Sequence, residues 1–560
     1  MAKFYSRRNF LKISAAGALA SYSLFNSACS ASPEFDLLII GGTIYDGSGK
    51  DGFAGDVGVI AGRVVAFGDL RDRKAKQKID VSGLAVAPGF IDFHSHSDED
   101  LLLGGEAQSK IRQGVTTEIL GQDGGSMAPL NDAMRAKLHE DLTKRYGIAV
   151  DWTDFSGYFQ RLEQSGLITN AASMIGQGTL REFVVGLDNR PATTDEINHM
   201  QALLRTALQQ GACGISSGLE YTPGCFASTE EIIAVCRAAA GKSIYSTHMR
   251  NEDDTLLEAI AEAIRIAQEA GVALNISHIK ASGQNNWRKQ PEMLAMLEAA
   301  RANGLRVTCD RYPYIAYSTG LSSLFPLWSR EGGSEAFVSR LQDASIRAKL
   351  RPEVQYEADK IGGWKSVMIS SLQNHPRRSE YEGMNLAELA QHGADPYDLL
   401  VEFIIGENGG GGMVGFAMRE EDTAQLLANP YCMPASDGSS LAEQGVLRSG
   451  NPHPRSFGTF PRVLGKYVRE EAIMPLAGAI RKMTALPAET LGLQDRGSLK
   501  KGYWADIVIF DPTTVNDRAT WSQPHQYPVG IPFVIVNGQL VIDQEKFTGK
   551  LAGKILRHQV

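Results

Sequence analysis

The sequence has few cysteines, and their spacing indicates no covalent framework. Six cysteines occur in 560 residues. None of them forms a C-x-x-C pair, and beyond Cys29 the other five are scattered along the chain. This pattern is not that of a disulfide-stabilised fold. A chain of this length can bury a core large enough to need no such support.

The sequence also lacks an excess of basic residues, internal repeats and low-complexity tracts. Its formal net charge is -8 and its pI is near 5.8, which argues against a nucleic-acid partner. Apolar residues make up 43% and charged residues 21%, as in a globular protein. Nothing points to a scaffolding role, and the sequence gives no indication of the oligomeric state.

Long apolar runs are absent except near the N-terminus. Residues 6–12 read Ser-Arg-Arg-Asn-Phe-Leu-Lys, and a short apolar stretch follows from Ile13 to Phe25. A basic start and a short apolar stretch predict a signal peptide over residues 1–31, and the twin arginines indicate the twin-arginine export route. The apolar stretch is short for a bilayer span. We therefore expect a periplasmic protein.

Two forms of the mature N-terminus stay open. Cys29 follows Ser27-Ala28 and could become a lipid-modified first residue, which would be the only link of the protein to a membrane. Asn26 departs from the aliphatic residue usual in a lipobox. Ordinary cleavage within 28–31 is therefore the alternative.

Short apolar runs separated by Gly and Asp turns occur near both ends of the chain. Residues 35–88 include Leu37–Ile40, and residues 497–545 include Ala505–Phe510, and such runs are typical of strands. Two β-rich ends around a central α/β zone predict one small β-sandwich built from both termini. Residues 546–560 are expected to be a tail.

The central zone, residues 89–496, alternates β-branched runs with helical patterns, which predicts βα units and a parallel sheet. Eight candidate strands can be counted, the number that closes a (β/α)8 TIM-type barrel. The stretch 313–431 is too long for a simple connection, so an insertion between strands seven and eight is expected. The eight strands are expected at 86–94, 115–121, 171–176, 213–218, 243–248, 273–278, 306–311 and 432–437.

Histidines occur at the ends of three expected strands. His94 and His96 are two residues apart, so both side chains would face the same side of the first strand. His248 and His278 each end a later strand. Barrel enzymes work at the carboxyl ends of their strands, and imidazole is a common zinc ligand. An H-x-H pair alone is weak evidence for a metal site, because two histidines on a surface loop would give the same sequence pattern.

Two aspartates complete the predicted metal centre. Asp437 ends the eighth strand, where its carboxylate could take a proton from metal-activated water and pass it to a leaving amine. Asp123, in the glycine loop after the second strand, is the natural bridging ligand if two ions bind. Glu118 lies nearer the middle of that strand. For both aspartates the alternative is a simple turn residue.

With these residues the sequence resembles the amidohydrolase superfamily and, within it, the N-acyl-D-amino-acid deacylases or D-aminoacylases. The resemblance covers roughly residues 36–545. It implies an (β/α)8 barrel with a small β-sandwich, one or two zinc ions, the four histidines as ligands, and Asp437 as general base and ligand. Nine blocks in order carry it: Pro88–His96, Gly114–Thr117, Gly178–Arg181, Gly218–Gly224, Thr247–Glu252, Ser277–Lys280, Asp310–Tyr314, Ser436–Gly438 and His453–Arg462.

Two positions depart from the family pattern. Asp123 stands where many relatives carry cysteine, and a hard oxygen ligand is less selective for zinc than a thiolate. Manganese, iron or another divalent ion is therefore an alternative to zinc. Gln177 stands where many relatives carry histidine. The carboxylated lysine of hydantoinase-like relatives has no obvious counterpart.

The resemblance also implies a substrate-binding set. Lys280, Tyr312 and Arg455 match positions that hold the carboxylate of the amino acid, and Arg offers a two-pronged donor while Lys adds a point charge. Tyr221 could line the same pocket. The alternatives are surface charges and packed tyrosines.

The expected activity is hydrolysis of an amide bond in N-acyl-D-amino acids by zinc-activated water. Asp437 would move the proton, and Tyr312 would help to stabilise the oxyanion. The preference for the D configuration comes from the resemblance alone. The predicted metal site does not determine the substrate, so a cyclic amide, a dipeptide or a lactone is an alternative substrate. A further alternative is a binding protein whose catalytic site is inactive.

Overall fold

The computed structural model describes residues 34–241 and 243–558. The predicted signal peptide, the twin arginines and Cys29 lie outside the described residues. Within the described part, no helix combines the length and the apolar character that crossing a membrane requires.

Both ends of the described chain contribute to one nine-stranded sheet. The halves meet where Ala85–Pro88 runs antiparallel to Ile507–Phe510, with Val86 opposite Ile509. Buried side chains from both halves, such as Leu37 and Ile535, share one core. The β-rich ends therefore form a single unit. Its strands are Phe35–Ile44, Phe53–Ile60, Arg63–Gly68, Ala75–Asp80, Ala85–Pro88, Ile507–Phe510, Phe533–Val536, Gln539–Asp543 and Lys546–Phe547.

The central zone contains parallel strands that follow one another in chain order. Cys213 N donates to Ser173 O, which joins the first three strands to the rest. Asp437 N donates to His94 O, so the last strand lies beside the first. Asn170–Ser173 and Ile175–Gly176 are two segments at the place of the expected third strand. The other strands are Phe90–Asp92, Val115–Leu120, Gly214–Gly218, Ile244–His248, Ala273–Ile276, Val307–Arg311 and Cys432–Pro434, which makes eight in all.

Helices lie between these strands and after the last one. In Leu256–Ala270, for example, Leu256, Ile260, Ala263 and Ala267 are buried on one face. The main helices of this zone are Asp132–Tyr146, Phe155–Ser165, Gln177–Val184, Thr194–Gln209, Thr229–Cys236, Leu256–Ala270, Gln290–Ala302, Glu420–Ala428, Arg455–Arg462, Leu476–Met483 and Ala485–Leu491.

The expected first strand, 86–94, is wrong as a single element. The structure divides it at Gly89, so that Ala85–Pro88 belongs to the terminal sheet and Phe90–Asp92 begins the parallel strands. A Cβ at Gly89 would lie 2.2 Å from the side chain of Thr116, so only glycine fits this close approach. The eighth strand also ends earlier than expected, at Pro434.

The predicted insertion between the last two parallel strands is present. It has an antiparallel sheet in which Gly412–Phe416 lies between Ala316–Gly320 and Val367–Ser371. It also has its own apolar core, which includes Leu350 and Leu400. Its helices are Gly333–Gln342, Ala344–Lys360, Arg378–Tyr381, Leu386–Leu389 and Pro396–Gly406.

Candidate metal centre

Six side chains that the sequence predicts as ligands come together at the carboxyl ends of the parallel strands. The ring and carboxylate atoms within each of two overlapping groups lie within 4.8 Å of one another. The six are His94, His96, Asp123, His248, His278 and Asp437.

The first group joins residues that follow the first, second and eighth strands. His94 Nε2 lies 3.3 Å from His96 Nε2 and 3.4 Å from Asp123 Oδ1. Asp437 Oδ1 lies 3.0 Å from His96 Nε2 and 3.6 Å from His94 Nε2. Two ligands that each lie about 2.1 Å from one tetrahedral ion are about 3.4 Å apart, so these separations fit a shared ion.

The second group shares Asp123 with the first. His248 Nδ1 and His278 Nε2 are 2.9 Å apart. Asp123 Oδ2 lies 3.4 Å from His278 Nε2 and 3.8 Å from His248 Nδ1. Asp123 Oδ2 also lies 3.4 Å from His96 Nε2 of the first group. The Asp123 carboxylate therefore lies between the two groups and belongs to both.

Three of these positions adopt backbone conformations that non-glycine residues rarely use. Asp123, His278 and Asp437 have φ values of 52°, 36° and 49°. Such conformations are unfavourable and persist only where the surroundings enforce them. Here they occur where three strands end, and all three side chains turn into the same site.

The electrostatics of the site fit a bound cation. Burial alone would raise the pKa of Asp123, but neighbouring histidines such as His94 hold it well below its usual value. Burial opposes protonation of His96, yet Asp123 and Asp437 raise its pKa to about 9. Asp123 Oδ1 is buried and accepts no hydrogen bond from the described residues. A buried carboxylate oxygen without a donor is costly, and a divalent ion would satisfy it.

Three carboxylates that the sequence reasoning missed lie beside the outer nitrogens of three histidine rings. His94 Nδ1 lies 3.3 Å from an oxygen of Asp310, and His278 Nδ1 lies 3.0 Å from an oxygen of Glu252. His248 Nε2 lies 3.3 Å from an oxygen of Glu220. Such partners orient metal-binding imidazoles. Asp310 lies near the carboxyl end of the seventh strand. A search for polar residues at strand ends, which predicted the histidines, could therefore also have found Asp310.

The four predicted substrate-binding residues line one cavity of about 240 Å³ above the six ligands. Lys280 Nζ donates to Glu252 at 2.6 Å. The Tyr312 hydroxyl is buried and has no hydrogen-bond partner among the described residues. Tyr221 packs on the His248 ring with centroids 4.7 Å apart.

Arg455 has a second role that the sequence did not indicate. Its Nη1 donates to Asp437 Oδ2 at 2.6 Å, and its Nη2 donates to the Ser318 carbonyl. Burial would raise the pKa of Asp437, but Arg455 together with His278 and His94 lowers it far below the usual range. The arginine therefore keeps the carboxylate ionised and fixes its orientation.

Two other positions raised by the sequence lie away from this cavity. Gln177 is fully buried, and neither atom of its amide has a partner among the described residues. Glu118 is buried and accepts hydrogen bonds from Ser95 and Thr169. Glu118 therefore supports the strand that carries the H-x-H pair, and Asp123 is the carboxylate that reaches the site.

Overlapping histidine and aspartate groups at the carboxyl ends of parallel strands, with one carboxylate held by an arginine, define a metal-dependent hydrolase. Comparisons with known proteins narrow the class. Residues 447–542 match the model of the Amidohydrolase family. The chain is 40% identical to the D-aminoacylase of Alcaligenes xylosoxydans xylosoxydans, over 94% of this chain and 98% of that protein. It is 35% identical to an N-acyl-D-aspartate deacylase from the same organism, over 94% and 96%.

Solved structures agree with these relatives. A D-aminoacylase described with a binuclear metal centre has a TM-score of 0.77 and 38% identity, over 93% of this chain and all of that one. The N-acyl-D-glutamate deacylase of Bordetella bronchiseptica, complexed with zinc and a phosphonate inhibitor, has a TM-score of 0.78 and 33% identity, over 94% and 100%. This chain belongs to the N-acyl-D-amino-acid deacylases, the D-aminoacylase family of amidohydrolases, as its motifs predict.

Proposed function

We propose that this protein removes the acyl group from N-acyl-D-amino acids, giving a carboxylate and a free D-amino acid. The observation that carries the proposal is one cavity whose floor holds two overlapping ligand groups and whose wall holds Lys280, Tyr312 and Arg455. Relatives that share a third or more of the sequence deacylate D-amino acid derivatives, which supports the same reaction here.

We infer that the eight parallel strands close into a (β/α)8 barrel and that the nine-stranded sheet folds as a small β-sandwich. The pairing of Ser95 with Gly438, beside the hydrogen bond from Asp437 N to His94 O, supports closure. The proposed boundaries are 35–88 and 497–545 for the sandwich, 89–496 for the barrel with its insertion, and 546–560 for the tail.

Zinc fits the ligand set, as one ion or two, because the histidine nitrogens and aspartate oxygens are all zinc ligands. His94, His96 and Asp437 would hold one ion, and His248 and His278 the other, with Asp123 between them. The carboxylate of Asp123 leaves other divalent metals as alternatives. A bound divalent ion would lower the pKa of the attacking water and polarise the amide carbonyl.

The protein's own groups supply the proton transfers. Asp437, kept ionised by Arg455, accepts a proton at its carboxylate as water attacks and returns it to the nitrogen of the leaving amine. The free hydroxyl of Tyr312 can donate to the oxygen of the amide as charge develops there. Lys280, fixed by Glu252, adds positive charge for the carboxylate of the amino acid.

The test is amine release by purified, zinc-loaded protein from matched N-acetyl-D- and N-acetyl-L-methionine, with a chelator-treated sample as the control. We expect turnover of the D form only. No turnover of either form, with metal confirmed bound, would refute the deacylase activity and direct the search to cyclic amides, dipeptides or lactones.

We also propose that the protein is exported through the twin-arginine route and works in the periplasm. The basic start and short apolar stretch within residues 1–31 support this. Replacing Arg7 and Arg8 by lysine should leave the protein in the cytoplasm, as fractionation would show. Replacing Cys29 by alanine should release a membrane-held form if that residue carries a lipid, and change nothing if cleavage is ordinary.

A further inference from the structure

A second cavity opens beside the metal centre, between the parallel strands and the insertion. Its volume is about 510 Å³. The two spaces adjoin, because five residues line both of them: Glu220, Asp253, Ser323, Glu357 and Lys360. We call this second space the outer cavity, and its other walls include Arg250, Phe325, Leu327, Arg330, Glu353 and Tyr356.

One wall of the outer cavity is apolar. Phe325, Pro326 and Leu327 contribute it, and Leu327 keeps 38% of its surface exposed. A substrate bound at the metal centre has two parts that could extend this way, its acyl chain and its side chain. The apolar wall suits the methylene groups of either part.

Two cations in the outer cavity are already neutralised by neighbours. Arg250 donates from Nε and Nη2 to the carboxylate of Glu262 and from Nη1 to the Cys225 carbonyl. Lys360 Nζ lies 2.6 Å from Asp253 and 2.7 Å from Glu357. Both cations are therefore already paired with carboxylates of the protein.

Arg330 is different. It ends the short helix Leu327–Arg330 of the insertion, and its guanidinium makes no hydrogen bond or ion pair with any described residue. Its Nε is buried and unpartnered. Burial lowers the pKa of Arg330, although Glu220 and Glu357 act in the opposite direction. A partly buried guanidinium without a partner is costly, and a bound carboxylate would provide the two-pronged partner it fits.

We propose that Arg330 binds a carboxylate at the outer end of the substrate, so that this enzyme favours N-acyl-D-amino acids that carry a second carboxylate. The inference rests on the proposed deacylase activity. The second carboxylate has two sources, the side chain of an acidic D-amino acid or the far end of a dicarboxylic acyl group. Either places an anion beyond an apolar spacer, which matches a cavity with an apolar wall and one uncommitted cation among its described residues.

The experiment compares three substrates of the zinc-loaded enzyme. N-acetyl-D-methionine has one carboxylate, N-acetyl-D-glutamate has a second one on its side chain, and N-succinyl-D-methionine has a second one on its acyl group. Arg330→Met removes the charge while keeping an unbranched side chain. Lys365→Met removes a charge from an exposed position of the same insertion and is the matched control.

We expect Arg330→Met to lower kcat/KM by about 10- to 100-fold for one of the two dianionic substrates, as loss of a charged hydrogen bond does. N-acetyl-D-methionine should change little, and Lys365→Met should change none of the three. Arg330→Lys should restore part of the loss, because lysine keeps the charge without the fork. A selective loss on the glutamate assigns the side chain, and one on the succinyl compound assigns the acyl group.

An equal loss on all three substrates, or no loss on any, would overturn the proposal. If the wild type turns over none of them, the deacylase function fails and binding still tests Arg330. Calorimetry would then compare glutarate with butyrate on metal-loaded protein. Weaker glutarate binding by Arg330→Met, with butyrate unchanged, supports the anion site, and equal binding of glutarate by both proteins excludes it.

Discussion

At the scale of single residues, Asp437 combines three properties that a catalytic base needs. It is buried, it is kept ionised by Arg455, and one oxygen lies within 3.0 Å of a ligand histidine, His96. The other oxygen is held at 2.6 Å by the arginine, so the carboxylate has one orientation. Proton transfer depends on such fixed geometry as much as on basicity.

Asp437→Asn should therefore abolish most turnover while keeping the shape of the site. The amide cannot accept and return the proton, and general acid–base catalysis contributes about 100- to 10,000-fold. Metal bound by Asp123, His248 and His278 should persist. Metal content per chain and kcat would be measured on the same samples, and a metal-loaded variant with the wild-type rate would disprove the role of this residue.

His525 makes an acid-sensitive contribution to stability. Burial and Arg448 lower its pKa to about 4, and its ring packs edge-on to Phe457. Between pH 6.5 and pH 4 the unfolded chain binds a proton that the folded chain refuses, so folding stability falls as the pH drops through this window. His525→Gln should flatten that fall in denaturant unfolding. The same substitution at the exposed His199 is the control, and an unchanged slope in His525→Gln would contradict the assignment.

The sequence predicts those features of the site that local strand geometry determines, and it does not predict those that depend on how loops fold. His94 and His96 follow from the two-residue period of a strand, and Asp123 and Asp437 follow from their places after strands. The pairing of Arg455 with Asp437 could not be read in this way. It depends on how the loop after the eighth strand folds back, which no local periodicity encodes.

At the scale of elements, Gly89 shows why strand boundaries escaped prediction. Residues 86–94 are expected as one strand although Pro88-Gly89 interrupts the apolar run, and the chain passes from one sheet to another at this residue. What divides the strand is the packing of Thr116 against the glycine, a contact with a residue 27 positions later. A hydrophobic pattern indicates that residues are buried, but it does not indicate which sheet their strand joins.

A buried ion pair ties two helices around the site. Arg181, in Gln177–Val184, donates from Nη1 to both oxygens of Glu231, in Thr229–Cys236, at 2.6 and 2.7 Å. Both side chains are almost fully buried. Arg181→Met should lower the free energy of unfolding by about 3–5 kcal/mol, because it leaves the glutamate buried without its partner.

The double variant Arg181→Met, Glu231→Met is the matched control for that prediction. It removes both charges, and replacing a buried pair by apolar side chains is often neutral or stabilising. Its unfolding free energy in urea should therefore recover most of the loss. A double variant as unstable as the sum of the two single variants would show that the helices do not depend on the pair.

At the scale of the whole molecule, the proposed chemistry and the proposed selectivity belong to different parts of the chain. The six predicted ligands follow the parallel strands, whereas Arg330, Glu357 and Lys360 come from the insertion with its own core. The sequence predicts an insertion from the length of 313–431. It does not predict that this segment forms a wall of the cavity, because that depends on how two separately packed cores meet.

This division makes the insertion removable in principle. Gly320 and Gly412 pair across neighbouring antiparallel strands, so a two-residue Asn-Gly turn can join them in place of residues 321–411. We expect the shortened protein to fold and to bind metal, because the ligands and their supporting carboxylates lie outside the deletion. Turnover of N-acyl-D-amino acids should fall sharply, since one wall of the substrate cavity is lost and water reaches the metal centre.

Circular dichroism, metal content and amine release would be measured together on this shortened protein. A folded, metal-loaded protein without deacylase activity supports the division of labour, because folding and ligation then survive without the insertion. Wild-type activity would show that the insertion does not form the substrate site. Loss of metal together with loss of structure would show that the parallel strands need the core of the insertion, through contacts such as that of Lys360 with Asp253.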